Sequence, residues 1–488
     1  MKIKVFAGLA GVLAVLGVVP AAIFSAPTDP DSAWLQWGGA TRDFVVRSAP
    51  LADAWPAAGP KRVWSRPLGE GHSTILVEDG RLYTMYRPGR PTADAPWAAE
   101  EMVIALDEAT GKTIWEHRYP ARPLDFKYGA GPHATPLIVG DRLFTAGTNN
   151  QLFALDKHTG KVLWSHDLVK DFGAQETLIR CPVKAGMSAS PLAYRDTVIV
   201  LAGGPGQAVM ALDQRTGAVV WKSGDLNVAQ ASPILIDVDG ETQLVVFGGL
   251  DVSGFDPQTG RLLWTHPHDT RYDMNMGTPI WGPDNLLFIT SAYDNGSRML
   301  RLRREGGATR VEERWHSRRM RVQFTSSIRM GDFIVGSSGD FGPTFLTAVD
   351  VETGDVLWQD RRFSRANLLL ADGKLVVLDE EGLLGLARAS REGLEVLAES
   401  QVLTSWSWTT PTLVGTSLYV RDKKTIAKFE LPKRSRPTER SEYGSDHDEA
   451  CGIGVRVDGV DFPGRRARPE QLRPSHQRRA RYRRQERD

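Results

Sequence analysis

The string Ala-Leu-Asp-x-x-Thr-Gly-x-x-x-Trp recurs along this chain, and few folds accommodate it. It reads Ala105-Leu106-Asp107, Thr110-Gly111 and Trp115. It returns at Asp156, Gly160 and Trp164, at Asp213, Gly217 and Trp221, and at Asp256, Gly260 and Trp264. After a worn copy it reappears at Asp350, Gly354 and Trp358. A period of 43 to 57 residues marks an array of one small unit that buries its apolar face only by stacking on its neighbours.

Inside each copy the residues read as a hairpin. An apolar strand such as Leu152-Phe153-Ala154-Leu155 ends on the Asp. Asp and Thr side chains bond nearby backbone N–H groups and favour a turn. Gly supplies the positive φ that the turn needs. A second strand then carries the Trp, whose large ring is expected to pack rather than to catalyse.

A second signal precedes each copy. A small or hydroxyl residue, often followed by Pro, opens an apolar strand, a tight turn and another strand. Thr135-Pro136, Ser190-Pro191, Ser232-Pro233, Thr278-Pro279 and Thr410-Pro411 are clear starts; Ser73-Thr74, Ser326-Ser327 and Asn367 are weaker ones. Gly140-Asp141, Asp79-Gly80 and Asp372-Gly373 between apolar runs read as hairpin turns. Each unit therefore carries four short antiparallel strands. The spacing predicts an all-β chain folded as an eight-bladed β-propeller of four-stranded antiparallel blades. The fifth unit is worn, with Arg301 to Arg310 where the turn belongs and Trp315 at its end; the seventh has Leu386-Ala387-Arg388 in place of the motif. The last unit stops near Leu431 without a fourth strand. The segment from Trp34 to Trp64 is expected to supply it, which closes the ring and leaves no exposed sheet edge.

These repeats resemble the pyrroloquinoline-quinone (PQQ) repeat family of β-propellers, which includes quinoprotein alcohol dehydrogenases and BamB-like outer-membrane assembly factors. The resemblance spans roughly residues 34–431. It implies that the motif Trp docks on the backbone of a neighbouring blade. It does not choose a function, because one fold hosts enzymes and scaffolds alike. Quinoproteins of this family often carry a disulfide between adjacent cysteines beside the cofactor. This chain has two cysteines, Cys181 and Cys451, far apart and with no metal-site spacing.

The organisation expected is a signal peptide or membrane anchor over 1–26, the propeller over 27–432, and a disordered Arg-rich tail over 433–488. Lys2 and Lys4 precede an apolar run from Val5 to Val19, with Pro20-Ala21-Ala22 offering a cleavage site. That is an export signal; an uncleaved span from Val5 to Phe24 is the rival. Localisation is thus expected to be periplasmic or secreted, or anchored to the inner membrane. No Cys precedes Cys181, so the lipid anchor typical of the BamB-like branch is not expected. The tail holds 15 basic and 10 acidic residues with no apolar periodicity and cannot bury enough surface to order itself. The remaining body, 43 basic against 49 acidic residues, offers no basic footprint for nucleic acid.

Function is expected on the loops that run from each outer strand back to the next inner strand, because loops positioned by a rigid scaffold carry binding. Candidates there are Tyr128, His133, Glu176, Arg180, His268, Asp269, Arg271, Tyr272 and Trp408. His266 and His268 with Asp269 and Asp273 contain imidazole and carboxylate, which bind metals, but match no ligand signature; no metal is expected. Trp406 and Trp408 lie two apart and share a face. No Ser-His-Asp set, phosphate loop or paired-carboxylate motif is present. The chain reads as an exported monomeric binding or scaffold module, holding another protein or a small ligand at its funnel face without a cofactor. The alternative is a quinoprotein-type oxidoreductase with PQQ and Ca²⁺ in the funnel. A third class is an electron-transfer or sugar-binding accessory protein.

Overall fold

The computed structural model describes residues 32–47, 50–89, 99–124, 129–176, 186–227, 230–340 and 342–434. The signal or anchor expected over 1–26 lies outside them, as does the tail beyond Arg434. Eight sheets ring a central bore. Blade 1 runs outward through Leu76–Glu78, Arg81–Tyr86, Glu100–Asp107 and Thr113–Pro120. Blades 2 to 7 begin with inner strands Leu137–Val139, Leu192–Tyr194, Ile234–Val238, Ile280–Gly282, Val322–Met330 and Asn367–Ala371. Blade 8 takes Thr412–Val414, Ser417–Arg421 and Thr425–Glu430 from the C-terminal side.

The repeat motif is the joint between blades. Asp107 Oδ1 accepts from the Thr110 backbone N–H at 2.9 Å and from its hydroxyl at 2.5 Å, closing the turn. Gly111 sits at φ 68°, with its N–H on the Asp107 carbonyl at 2.8 Å. The Trp of the preceding blade lies against that turn. Trp64 Nε1 donates to the Glu108 carbonyl, Trp115 to Lys157, Trp164 to Gln214, Trp221 to Pro257, Trp315 to Val351 and Trp358 to Ser390, all within 3.2 Å. In the first five the acceptor is the residue that follows the motif Asp; Ser390 lies two residues after Arg388, which stands in the Asp position of blade 7. A Cβ added at Gly111 or Gly217 would meet the ring of Trp64 or Trp164 at 2.8 Å. Gly is therefore required twice, for its φ and for the indole lying on it. In every blade the register slips by one just before the Trp position, as between Ala105 and Leu106 in blade 1. A bulge of this kind re-aims the side chain after it, here toward the neighbouring blade.

The worn units depart from the rule in opposite ways. In blade 5 the stretch Arg301 to Arg310 is mostly strand: Gly296–Glu305 and Ala308–Ser317 form a long hairpin around Gly306-Gly307. With no motif turn to receive it, Trp264 of blade 4 donates instead to Gln243 Oε1 in its own sheet, at 2.7 Å. Blade 7 puts Ala398 opposite Leu386 where other blades have Trp.

The N-terminal segment divides into two parts, where one closing strand was expected. Only Lys61–Pro67 is the outer strand of blade 8, paired from Lys61↔Glu430 to Pro67↔Thr425. Residues 34–46 instead cross the bore and bond to six blades. Trp34 bridges Val77, the Leu35 carbonyl accepts from Ile138, and Val45–Val46 pair in parallel with Leu370-Ala371. Trp37 Nε1 donates to Thr278 Oγ1 at 2.9 Å. Arg42 is 3% exposed and donates to the carbonyls of Pro191 and Pro233. Alternation could not reveal this segment, since it pairs only one or two residues at a time. The propeller also continues two residues past Pro432: Lys433 bridges Leu51, and Arg434 lies 3.2 Å from Asp372.

The ring seam is fixed by Arg421, fully buried, whose guanidinium donates to the Met85 carbonyl at 2.7 Å and the Gly69 carbonyl at 3.2 Å. Removing residues 27–67 strips the outer strand of blade 8 and the bore segment together. The shortened chain is expected to aggregate, because a sheet edge is exposed; an unchanged melting temperature and a monomeric elution profile would refute this.

Gly217 and Gly373 separate the two demands on glycine. Both have positive φ, 75° and 67°, but a Cβ at Gly373 meets nothing within 4 Å. Gly373→Ala is expected to cost about 1–2 kcal/mol for the left-handed backbone. Gly217→Ala should cost about 1–3 kcal/mol more, because Trp164 must move. Equal losses in urea titration would show that the Trp does not bear on the glycine.

Candidate functional site

The small and hydroxyl residues that open each blade form a belt around the bore. The Thr74 N–H donates to Thr135 Oγ1, Thr135 N–H to Ser190 Oγ, and Ser190 N–H to Ser232 Oγ, each at 3.0 Å. Each hydroxyl thus caps the inner strand of the blade before it. On the other side, Asn367 Oδ1 accepts from Ser326 N–H and from Thr410 Oγ1. A Ser or Thr is needed here because these strand-start N–H groups are buried and have no strand partner.

At and immediately before the belt, every blade but the seventh presents residues to a cavity of about 760 Å³ that includes open solvent. Blades 1 and 2 present His72 and His133, and blades 3 and 4 present Ser188, Ser190, Gln230 and Ser232. Blade 5 offers Met274 and Met276, blade 6 Phe324 and blade 8 Trp408; Trp37 reaches in from the bore segment. Four rings make a continuous arc: Phe324 to Trp408 at 5.2 Å, Trp408 to His72 at 5.5 Å, and His72 to His133 at 5.4 Å between centroids. Trp408 is oriented by its Nε1–H bond to Glu380 Oε2 at 3.1 Å, and Glu380 lies 3.3 Å from Arg365. Trp406 stacks on Trp408 at 4.8 Å with 47% of its surface exposed. Lys423 Nζ stands 4.2 Å from the Trp406 ring centre, within cation–π range. Trp408 lines the cavity and Trp406 stacks on it.

The sequence candidates scatter relative to this cavity. His133 and Trp408 line it. Tyr128 and Arg180 lie outside the described residues, as does Cys181. Glu176 is exposed, 3.7 Å from Arg122. Asp269 is exposed and Asn295 donates to its carbonyl; exposed Arg271 lies over the Tyr272 ring at 5.4 Å, and Tyr272 meets Tyr293 edge-on at 5.2 Å. Among the described residues no three His, Cys, Asp or Glu side chains gather at metal-binding distance. His266 pairs with Glu313 at 2.9 Å.

His268 departs furthest from a loop position. It is fully buried, with Nε2 2.6 Å from Ser291 Oγ and Nδ1 accepting from Arg298 Nε at 3.1 Å. Burial first, and then the Arg298 charge, push its pKa down to about 3. Its neighbour Asn275 donates to the His268 carbonyl at 3.2 Å, so this turn is an internal brace. The sequence missed His72, Gln230, Met274, Met276, Phe324 and Trp37 as cavity residues. The available signal was positional: most of them stand one to four residues before a strand start.

The His268 geometry sets a pH dependence. The folded side chain stays neutral to about pH 3, whereas an unfolded His gains a proton below about 6.5. Its contribution is therefore complete above pH 6.5 and lost as pH falls toward 3, at up to ~1.4 kcal/mol per unit. Between pH 7 and 5 the chain should lose about 2 kcal/mol through this residue. His268→Asn should flatten the slope in urea titrations; an unchanged slope would count against the neutral, buried imidazole.

A family model described as outer membrane protein assembly factor BamB matches residues 99–360. The outer membrane protein assembly factor BamB of Burkholderia pseudomallei (strain K96243) is 25% identical over 293 residues, covering 52% of this chain and 71% of its own. Among solved structures, a quinohemoprotein alcohol dehydrogenase from Comamonas testosteroni superposes with a TM-score of 0.54 at 14% identity, covering 86% of this chain and 83% of that one. The computationally designed Ika8 protein superposes with a TM-score of 0.51 at 11% identity, covering 76% and 100%. At such identities the two structures speak for the fold alone.

Proposed function

We propose that this chain, which belongs to the outer membrane protein assembly factor BamB family, is an exported binding module that holds another protein on its loop-rich face. The observation that carries the reading is the chemistry of the bore. Among the described residues lining it there is no carboxylate, lysine or arginine. PQQ is a polyanionic quinone, and a divalent cation beside it needs hard oxygen ligands. The described wall supplies neither a carboxylate for the cation nor a guanidinium for the quinone, so these residues do not fit that pair. The loop face is polar by contrast, with Arg122, Glu176, Asp269 and Arg271 exposed on it.

Export rests on the N-terminal sequence; among the described residues no helix is long and apolar enough to cross a membrane. Capture of a protein partner follows the name of the Burkholderia relative, an assembly factor, and suits a rigid ring whose loops alone vary.

Arg271→Ala tests the reading. The residue is exposed and its ring contact is a surface one, so its loss should shift stability by under about 1 kcal/mol. In a host lacking its own copy, the wild-type chain should restore outer-membrane protein levels and the variant should restore them less. Dye-linked alcohol oxidation above background with added PQQ and Ca²⁺ would overturn the proposal in favour of an enzyme.

A further inference from the structure

We propose that the bore is also a binding site for a neutral saccharide, seated with one ring face on Trp408 and its hydroxyl groups on the wall formed by blades 3 and 4. This goes beyond capture of a protein on the loops, since it concerns a small ligand inside the ring.

The cavity has two unlike sides. In a ring of eight, blades 8 and 4 stand four steps apart and face each other across the axis. Trp408 of blade 8, flanked by Phe324 and His72, presents an aromatic surface. Gln230 and Ser232 of blade 4, with Ser190 beside them, present hydroxyl and amide groups. A pyranose has the same division: an apolar C–H face, and a rim of hydroxyls that both donate and accept.

The polar side is built for a ligand that does both. Gln230 is 6% exposed, and its Nε2 donates to the Gly186 carbonyl at 3.1 Å, which fixes the amide orientation. Its Oε1 accepts no hydrogen bond from the described residues. A buried acceptor left in that condition costs roughly 1–3 kcal/mol, so an O–H reaching it is favoured. Ser190 and Ser232 each accept a backbone N–H at their Oγ. A hydroxyl that accepts still has its own proton to give, and these two line the cavity.

The wall also selects by charge. An ionised ligand buried against the uncharged groups of blades 3 and 4 loses hydration that they do not replace. A planar anion would be held by the Trp408 face but repelled by the desolvation of its carboxylates. A neutral sugar meets no such cost and satisfies both sides.

The test is a titration of the full chain with glucose, N-acetylglucosamine and maltose, followed by tryptophan fluorescence and calorimetry. At least one is expected to bind saturably. Gln230→Leu should weaken that binding about tenfold or more while leaving the melting temperature near wild type. Trp408→Ala should abolish it, and Trp408→Phe, which keeps an aromatic face, should restore part of it. If Trp408→Ala fails to fold, Gln230→Leu and Trp408→Phe still decide. No saturable binding of any of the three sugars overturns the proposal, and so does binding indifferent to Gln230→Leu. Saturable PQQ binding lost in the same variants overturns it too, because the wall would then accept a polyanion. Failure here leaves the Arg271 experiment untouched, since that residue lies outside the cavity.

Discussion

The ring depends on one contact repeated around it: an indole lying flat on the glycine of the next blade's turn, with its N–H bonded to the carbonyl beside that turn. Five tryptophans make it with the same acceptor position, and Trp358 keeps only the hydrogen bond, one residue further on. The ring buries apolar area against the turn, and the hydrogen bond fixes its angle. Neither half suffices alone. A hydrophobic contact is non-directional, and one hydrogen bond contributes only about 1 kcal/mol net. Together they set the rotation from one blade to the next, and a closed ring requires that rotation to be constant. The bulge before the Trp position makes the contact possible, since regular pairing would aim the side chain elsewhere.

Where the contact is missing, other devices take its load. Blade 5 has no motif turn, so Trp264 turns inward to Gln243. Long strands hold that blade, and the buried brace of His268, Arg298 and Ser291 sits beside it. At the seam, where the two ends of the chain meet, Arg421 supplies directional bonds to blade 1. The bore segment adds a hub. Arg42 and Phe44 hold φ of 58° and 61°, a strained geometry for non-glycine residues that persists because Arg42 is bonded to two blades. A hub of this kind closes one end of the bore with Trp37. The aromatic and hydroxyl walls therefore share their cavity with a residue of the hub.

Much of this was legible in the residue order. The motif gave its strands and turns because Asp, Thr and Gly act within five residues of one another, and such chemistry is local. The blade count followed from the hydroxyl starts for the same reason. The site was less legible. His133 and Trp408 were singled out for their chemical type and do line the cavity. His268 was singled out for the same reason and is an internal brace, because burial is decided by what packs on a residue rather than by its neighbours in sequence. Gln230 and Met276 gave no sign, being unremarkable residues until eight strand starts are placed around one axis.

The sequence by itself determined the repeat, its hairpins, the four-stranded unit and the need for a closing strand from the N-terminal side. Each of these rests on short-range turn chemistry or on periodicity two, which a single chain displays without its fold. Only the tertiary structure decided the rest. It decided which part of 34–64 would close blade 8 and which would thread the bore. It decided which tryptophans would be joints and which would line the cavity. It also set the uncharged wall of Gln230, Ser190 and Ser232 across from Trp408. These are relations between residues up to hundreds of positions apart, and they exist only once the ring has closed and brought opposite blades to face each other.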